Sequence, residues 1–422
     1  MKRNIFLYGI AVVLGCTVLG MAYVGPKLNG EIPHYDTPPI KLTVQLTLDR
    51  IERGRLLASA LCNHCHQNPV TKQLSGIRML GVEAAFGEVY TPNITQHPTK
   101  GIGAWSDGEL AYLFRTGIKR DGSLAHLIMP RWAKISDEDL FSIIAFLRSD
   151  DASVQAADVD SRPNKPSLLV SFLMNFIIKP REYPTKAIPE PDTTNAVSYG
   201  RYLAIERYGC YACHSASFAS INEVEPVKSE LFFGGNTSPQ RDVNDREVFA
   251  PNITPNREHG IGSWSEADFV RAMRYGFAPL SAHSSATAGT MRPLDFPMQK
   301  YTELTDNDLH AMYSYLRTVP PLTNPRRITL QHDSTTIRSA GQRLYYHYRC
   351  QTCHGESGAG WGILTAANIK YPTDEILVDV LKHPQQYLGE KTKMPSWDGV
   401  IKEQDYKDLC GYVRELSRKA TQ

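Results

Sequence analysis

The feature that most restricts what this chain can fold into is a five-residue unit that occurs three times. Cys62-Asn-His-Cys65-His66, Cys210-Tyr-Ala-Cys213-His214 and Cys350-Gln-Thr-Cys353-His354 use six of the eight cysteines, leaving Cys16 and Cys410 outside. Two thiols one helical turn apart, followed at once by an imidazole, match covalent haem attachment. The thiols add to the haem vinyl groups and the histidine is held beneath the iron. Zinc explains the pattern less well, because a structural zinc site takes four ligands, usually from two neighbouring pairs. Here successive pairs are about 140 residues apart. A thioredoxin-like dithiol needs no following histidine and sits after a strand, whereas these flanks read as helix. The sequence therefore predicts three covalently bound c-type haems. Cys62, Cys65, Cys210, Cys213, Cys350 and Cys353 would be the tethers, and His66, His214 and His354 the proximal ligands.

Each motif heads a longer repeat. A helical stretch with a glycine precedes it: Arg53-Gly54-Arg55, Tyr199-Gly200-Arg201 and Ala340-Gly341-Gln342. An amphipathic helix closes it, over 136–149, 305–318 and 403–416, with Ser136 and Thr305 as expected N-caps ahead of acidic first turns. Phe146, Tyr315 and Tyr412 each stand two residues before an arginine (Arg148, Arg317 and Arg414). The glycine of the first helix would let that aromatic approach closely. A sixth iron ligand is also needed, and methionine is a common choice. Met129 and Met298 each lie seven residues before a helix cap, and Met394 stands in Lys-Met-Pro-Ser-Trp. An adjacent proline favours extended backbone at each. Met291 rivals Met298, and His126 rivals Met129. His64 is set aside because His66 holds the motif position. The segments 91–105 and 250–264 match almost position by position, from Pro-Asn-Ile-Thr to Gly-Ile-Gly-x-Trp. Trp105 and Trp264 are expected near the haem edges, with core filling as the alternative.

The N-terminus opens Met-Lys-Arg and runs apolar and uncharged from Ile5 to Val24, long enough to span a bilayer. The basic residues ahead of the run favour a cytoplasmic N-terminus with the rest exported. A cleaved signal or a lipidated Cys16 are the alternatives, and all three export the body of the chain. With 46 basic and 44 acidic residues the net charge is +2, which gives no argument for a nucleic-acid partner. A composition of 42% hydrophobic and 21% charged residues is that of a globular protein.

These features resemble the membrane-bound triheme cytochrome c subunits that accompany periplasmic alcohol, gluconate and sorbitol-type dehydrogenases. The resemblance covers nearly all of the chain after residue 28. It rests on the three C-x-x-C-H units, the paired Pro-Asn-Ile-Thr segments and the methionines ahead of the closing helices. It implies an all-α fold of three tandem class I cytochrome c domains after an N-terminal transmembrane helix. The boundaries would be 1–28 anchor or signal, 40–152 domain 1, 153–192 linker, 193–320 domain 2, 321–334 linker and 335–420 domain 3. It also implies electron relay from a membrane-associated dehydrogenase subunit, or another redox protein, to quinone or a downstream carrier. The location would be the cell membrane, single-pass, with the haem domains on the periplasmic side. Pro-Met-Gln at Met298 departs from the usual Met-Pro order, and the third domain is stripped down. Its histidine-to-methionine spacing is 40 residues, against 63 and 84 in the others.

No triad, phosphate loop or dinucleotide fingerprint equips the chain to oxidise an organic substrate alone, so an electron carrier is expected rather than an enzyme. A multihaem peroxidase-like reductase is one rival, and a respiratory relay to a terminal oxidase without a dehydrogenase is another. The apolar stretch Leu168–Ile178 is too short to span a membrane. It is expected to pack on the domains, with contact to a partner or the membrane surface as the alternative. Cys410 is expected in the core.

Overall fold

The computed structural model describes residues 25–28, 30–79, 82, 86–237, 240–241, 247–275, 277–279, 291–293, 304–324, 339–348, 350, 354–355, 357–358, 364, 366–389, 394, 396–398 and 401–419. The chain separates into two compact units at Glu190/Pro191. Helix dominates and sheet is sparse, in keeping with the expected helical class.

In the first unit, helix α1 (Leu48–Leu61) begins on Thr47, whose hydroxyl accepts from Arg50 N at 3.3 Å. A helical turn, α2 (Asn63–His66), carries the first motif directly behind it. Helix α3 (Asp107–Thr116) follows, started by a reciprocal capping box between Ser106 and Glu109. Helix α4 (Asp137–Leu147) closes the repeat. Ser136 caps it as expected, accepting from Asp139 N at 3.2 Å. Leu140, Ile143, Ile144 and Leu147 are all buried along one face, and burying each such side chain contributes about 2 kcal/mol. Helices α1 and α4 cross at Gly54. A β-carbon there would lie 1.8 Å from Ser142 O and 2.7 Å from Phe146 Cβ.

The second unit repeats that crossing twice. Helix α6 (Ala196–Arg201) packs on α9 (Asp306–Leu316), and a β-carbon on Gly200 would lie 1.8 Å from Ala311 O and 2.9 Å from Tyr315 Cβ. Thr305 caps α9 with a capping box to Asp308. Helix α10 (Ala340–His347) packs on α14 (Glu403–Lys419), where the corresponding distances from Gly341 are 2.0 Å to Asp408 O and 2.8 Å to Tyr412 Cβ. All three expected glycine–aromatic pairs are therefore formed. Cys410 is fully buried in the cluster around Tyr345, Leu409 and Trp397.

The glycine-to-motif spacing differs, at eight, ten and nine residues. The helices absorb the difference by widening. Cys62 N bonds Ala58 O with ordinary α spacing, whereas Cys350 N reaches back five residues to Tyr345 O. In the longest, Tyr202–Arg207 forms a π-helical run that ends with Tyr208 N on Leu203 O. An inserted residue accommodated as a π turn leaves the flanking helix in register.

Small sheets are the departure from an all-α expectation. Strands β1 (Arg78–Met79), β2 (Gly87–Tyr90) and β3 (Lys165–Pro166) form an antiparallel three-stranded sheet. Two further two-residue-to-three-residue hairpins lie at Gln240–Arg241 with Glu247–Val248, and Phe277–Pro279 with Met291–Pro293. Strand β3 brings the stretch after residue 153 back onto the first unit. Helix α5 (Leu168–Phe172), continued by a π turn over Leu173–Ile177, then buries Val170 and Met174 against Val82, Phe86, Val89 and Leu124. No described helix is long and apolar enough to cross a membrane, and residues 1–24, where a span is expected, lie outside the described residues.

Candidate haem centres

The first motif is held rigidly. His66 N bonds Cys62 O at 2.9 Å, closing the turn that carries both cysteines. The His66 ring is buried, with Nδ1 2.9 Å from Pro92 O. A carbonyl can only accept, so Nδ1 carries the proton and Nε2 keeps its lone pair. Burial pushes the His66 pKa down, partly offset by the Pro92 carbonyl, so the imidazole is held neutral. A neutral ring with one fixed tautomer is what iron ligation requires. The second motif copies this lock: His214 N bonds Cys210 O at 2.9 Å, and Nδ1 lies 2.8 Å from Pro251 O. Pro92 and Pro251 are the equivalent prolines of the two Pro-Asn-Ile-Thr segments.

Those segments are braced from within. Asn93 Oδ1 accepts from Thr95 N and Thr95 Oγ1, while its Nδ2 donates to Ala157 O and Val159 O. Asn252 does the same with Thr254 on one side and Leu322 O and Asn324 O on the other. The Gly-Ile-Gly that follows folds back so tightly that a β-carbon on Gly101 or Gly260 would come within 2.2 Å or 2.1 Å of the Thr95 or Thr254 carbonyl. Trp105 and Trp264 are half-buried.

Cys62 does not sit in the environment of a redox dithiol. Burial, with the neighbouring Cys65 adding to it, pushes the Cys62 thiol up to about 12, opposite to the depression that activates a catalytic cysteine. Among the described residues no group of three or more His, Cys, Asp or Glu side chains gathers to make a zinc cage. The residues at the first two motifs fit haem attachment: paired thiols on one helical turn, and an oriented imidazole beside them. In the third motif Cys350 and His354 are described, with His354 N on Cys350 O at 2.9 Å, while Cys353 lies outside the described residues.

The expected distal methionines sit in related seats. Met129 is half-buried in a turn where its N–H bonds His126 O at 2.9 Å. Three residues on, Trp132 N bonds Phe114 O at 2.8 Å. Met394 is likewise half-buried, and Trp397 N bonds Leu381 O at 2.9 Å. Met-Pro-Arg-Trp and Met-Pro-Ser-Trp are thus pinned to the end of the preceding helix in the same way; for the third unit that is α12 (Asp374–Lys382). Cys350 and Met394 pack on one core cluster. Met298 lies outside the described residues, and Met291 is described only as part of its short strand. His126, the rival of Met129, lies tilted against the Phe86 ring with centroids 6.2 Å apart, and burial pushes its pKa down to about 4. His64 is exposed.

Sequence reasoning missed the arginines that hold the backbone just ahead of the closing helices. Arg115, 1% exposed, donates to the carbonyls of Trp132, Ala133 and Ile135 and pairs with Asp137 at 2.7 Å. Arg274, on α8 (Glu266–Tyr275), repeats the pattern with Leu304 O and Asp306. The available signal was spacing, since each stands ten residues after Trp105 or Trp264. The carbonyls of Pro92 and Pro251 were also missed, because a backbone acceptor leaves no mark in residue type.

This architecture and these motifs resemble those of c-type cytochromes, and comparison with known proteins agrees. A family model described as "Cytochrome C oxidase, cbb3-type, subunit III" matches residues 338–413, and a cytochrome c domain implies covalently bound haem. The chain is 25% identical over 389 residues to the cytochrome c subunit of the quinone-type alcohol dehydrogenase of Gluconobacter oxydans (strain 621H), covering 86% of this chain and 78% of that one. It is 26% identical over 333 residues to the fructose dehydrogenase cytochrome subunit of Gluconobacter japonicus, covering 74% and 65%. It is 25% identical over 325 residues to the gluconate 2-dehydrogenase cytochrome c subunit of Pantoea cypripedii, covering 73% and 70%. The resemblance to cytochrome c subunits of dehydrogenases is borne out.

Proposed function

We propose that the chain is an exported, membrane-anchored triheme electron relay, taking electrons from a partner dehydrogenase and passing them to quinone or a downstream carrier. Three domains, 40–152, 193–320 and 335–420, would each hold one haem c. Cys62 and Cys65, Cys210 and Cys213, and Cys350 and Cys353 would tether them. His66 with Met129, His214 with Met298, and His354 with Met394 would be the axial pairs. The haem iron supplies one-electron ferrous–ferric chemistry, and histidine–methionine ligation favours a high potential. The protein's part is orientation. Pro92 O and Pro251 O hold each imidazole in one tautomer, and Arg115 and Arg274 fix the backbone near the closing helices. The apolar run Ile5–Val24 would anchor the assembly. It acts as an electron carrier, with substrate oxidation left to the partner.

The observation that carries this reading is the duplicated lock between a C-x-x-C-H histidine and a Pro-Asn-Ile-Thr carbonyl. A pyridine haemochrome assay on the purified protein tests it. The expected count is three haems per chain, and His214→Ala should lower the ligation signal of one haem in the spectrum taken without pyridine, while the pyridine assay still counts three. Fewer than three haems in the wild type refutes the triheme assignment.

A further inference from the structure

The helix over 168–177 has two unlike faces. Val170, Ser171 and Met174 are buried on the first unit. Leu168, Leu169, Phe172 and Ile177 point outward at 69%, 57%, 45% and 58% exposure, and the Phe172 and Phe176 rings adjoin at 5.4 Å. Four large apolar side chains grouped on so short an element are unusual for a surface in water alone.

Two observations say what covers this face. The first is where the helix is tied. Asn175 Nδ2 donates to Lys27 O at 3.2 Å and Glu31 O at 2.9 Å, so the helix is fastened to the chain just after the apolar run Ile5–Val24. Wherever that run enters a bilayer, the helix lies beside its point of exit. The second is charge. From Ser161 to Arg181 there are four basic residues, Arg162, Lys165, Lys179 and Arg181, between Asp160 and Glu182, and Lys165 pairs with Glu88 at 3.2 Å while staying 71% exposed. They stand before and after the apolar face, as in helices that lie in an interface with cationic flanks on anionic head groups. The element is too short to cross the hydrocarbon.

We propose that the 168–177 helix lies in the membrane interface, its Leu168–Leu169–Phe172–Ile177 face among the acyl chains and its basic flanks at anionic head groups. This rests on the reading of Ile5–Val24 as an anchor. The helix then gives the first unit a second contact with the bilayer, next to the anchor, and restricts how that unit can swing about it. A lone transmembrane helix leaves a soluble domain free to tilt, while two contacts close together hold one face of it toward the lipid.

The test uses the full-length holoprotein in phosphatidylethanolamine–phosphatidylglycerol vesicles doped with a phosphatidylcholine bearing a diazirine in its acyl chain. After photolysis and digestion, mass spectrometry locates the lipid adducts. Adducts are expected on the peptide containing 168–178 and on the N-terminal run. The variant Leu168→Gln/Leu169→Gln/Phe172→Gln/Ile177→Gln changes only exposed positions, and should lose the first set while keeping the second. Adducts on the N-terminal run alone overturn the proposal, pointing to a protein occupant for this face, and leave the anchor standing. Adducts on 168–178 alone support lipid contact and overturn the anchor. Adducts on neither overturn both.

Discussion

Replacing Gly54 by alanine gives the sharpest test of the helix crossing. In an exposed helix this change gains about 1 kcal/mol from reduced backbone entropy. At Gly54 the new methyl would lie 1.8 Å from Ser142 O and 2.7 Å from Phe146 Cβ. Non-bonded carbon contacts settle near ~3.5 Å, so α1 and α4 would have to part by more than ~1 Å. No side-chain rotation relieves the clash, because the obstructing atom is backbone. Overpacking of this kind costs about 3 kcal/mol or more, for a net loss of about 2 kcal/mol. Gly411 is the matched control: it lies within α14, and a β-carbon there meets nothing within 4 Å. Hydrogen exchange read by mass spectrometry on the holoprotein reports each helix separately, which suits a chain of two units better than one global melt. Gly54→Ala should speed exchange in 48–61 and 137–147 by roughly 30-fold, while Gly411→Ala should slow it in 403–419. Equal, protective effects from both substitutions would show that the close crossing at Gly54 is not a feature of the folded chain.

Two further outcomes follow from buried and bridging charges. Arg115→Met removes the guanidinium donors from Asp137, which keeps only the Ile188 N–H, and from three carbonyls, and should cost about 3 kcal/mol, seen as loss of exchange protection across 129–137, with Arg115→Lys recovering part of it. Arg50 grips Glu138 through Nε and Nη2, at 2.7 and 2.8 Å, and that pairing holds the Glu138 carboxyl below the ordinary carboxylate range against the cost of burial. A depressed folded pKa stabilises above the unfolded value and is lost as pH falls through the folded one. The gap in urea stability between wild type and Arg50→Met, about 1 kcal/mol or less at pH 7, should therefore close below about pH 4, and a gap constant with pH would contradict the assignment.

What was legible in the sequence was whatever repeated or acted locally. The Gly54, Gly200 and Gly341 pairs could be read because three copies aligned a glycine with an aromatic far along the chain. Ser136 and Thr305 could be read because a cap acts within three residues. The imidazole lock could not, since Pro92 and Pro251 contribute a carbonyl that any residue has. Spacings of eight, ten and nine residues hinted at the widened helix turns, but spacing alone does not choose between a π turn and a loop. The packing of 165–177 onto the first unit was half-read: the apolar run was evident, whereas the strand pairing of Lys165–Pro166 depends on Gly87 and Glu88 far away. Cys353, Met298 and the N-terminal run remain sequence assignments, outside the described residues.

The stripped third repeat separates the joints that all three repeats keep from those that only the first two carry. It dispenses with the long Pro-Asn-Ile-Thr segment; Tyr345 on the first helix instead braces the residue after the motif, its hydroxyl donating to Gly355 O at 2.6 Å. The arginine after the aromatic is kept and redirected. Arg148 and Arg317 bond the carbonyls of Ile102 and Gly262, whereas Arg414 bonds Tyr371 O and Asn368 Oδ1. One joint survives in all three: a cation near the end of the middle helix pairs with the first residue of the closing helix. The pairs are Arg115–Asp137, Arg274–Asp306 and Lys382–Glu403. The joint is graded by burial, since the cation is 1%, 26% and 23% exposed and its partner acid 29%, 88% and 79%. An acid stranded in protein costs several kcal/mol, and one left in water costs almost nothing. Breaking the joint should therefore loosen the methionine seat of the first repeat far more than that of the third, where Tyr406 Oη on Trp397 O adds a hold on the segment that does not depend on the ion pair.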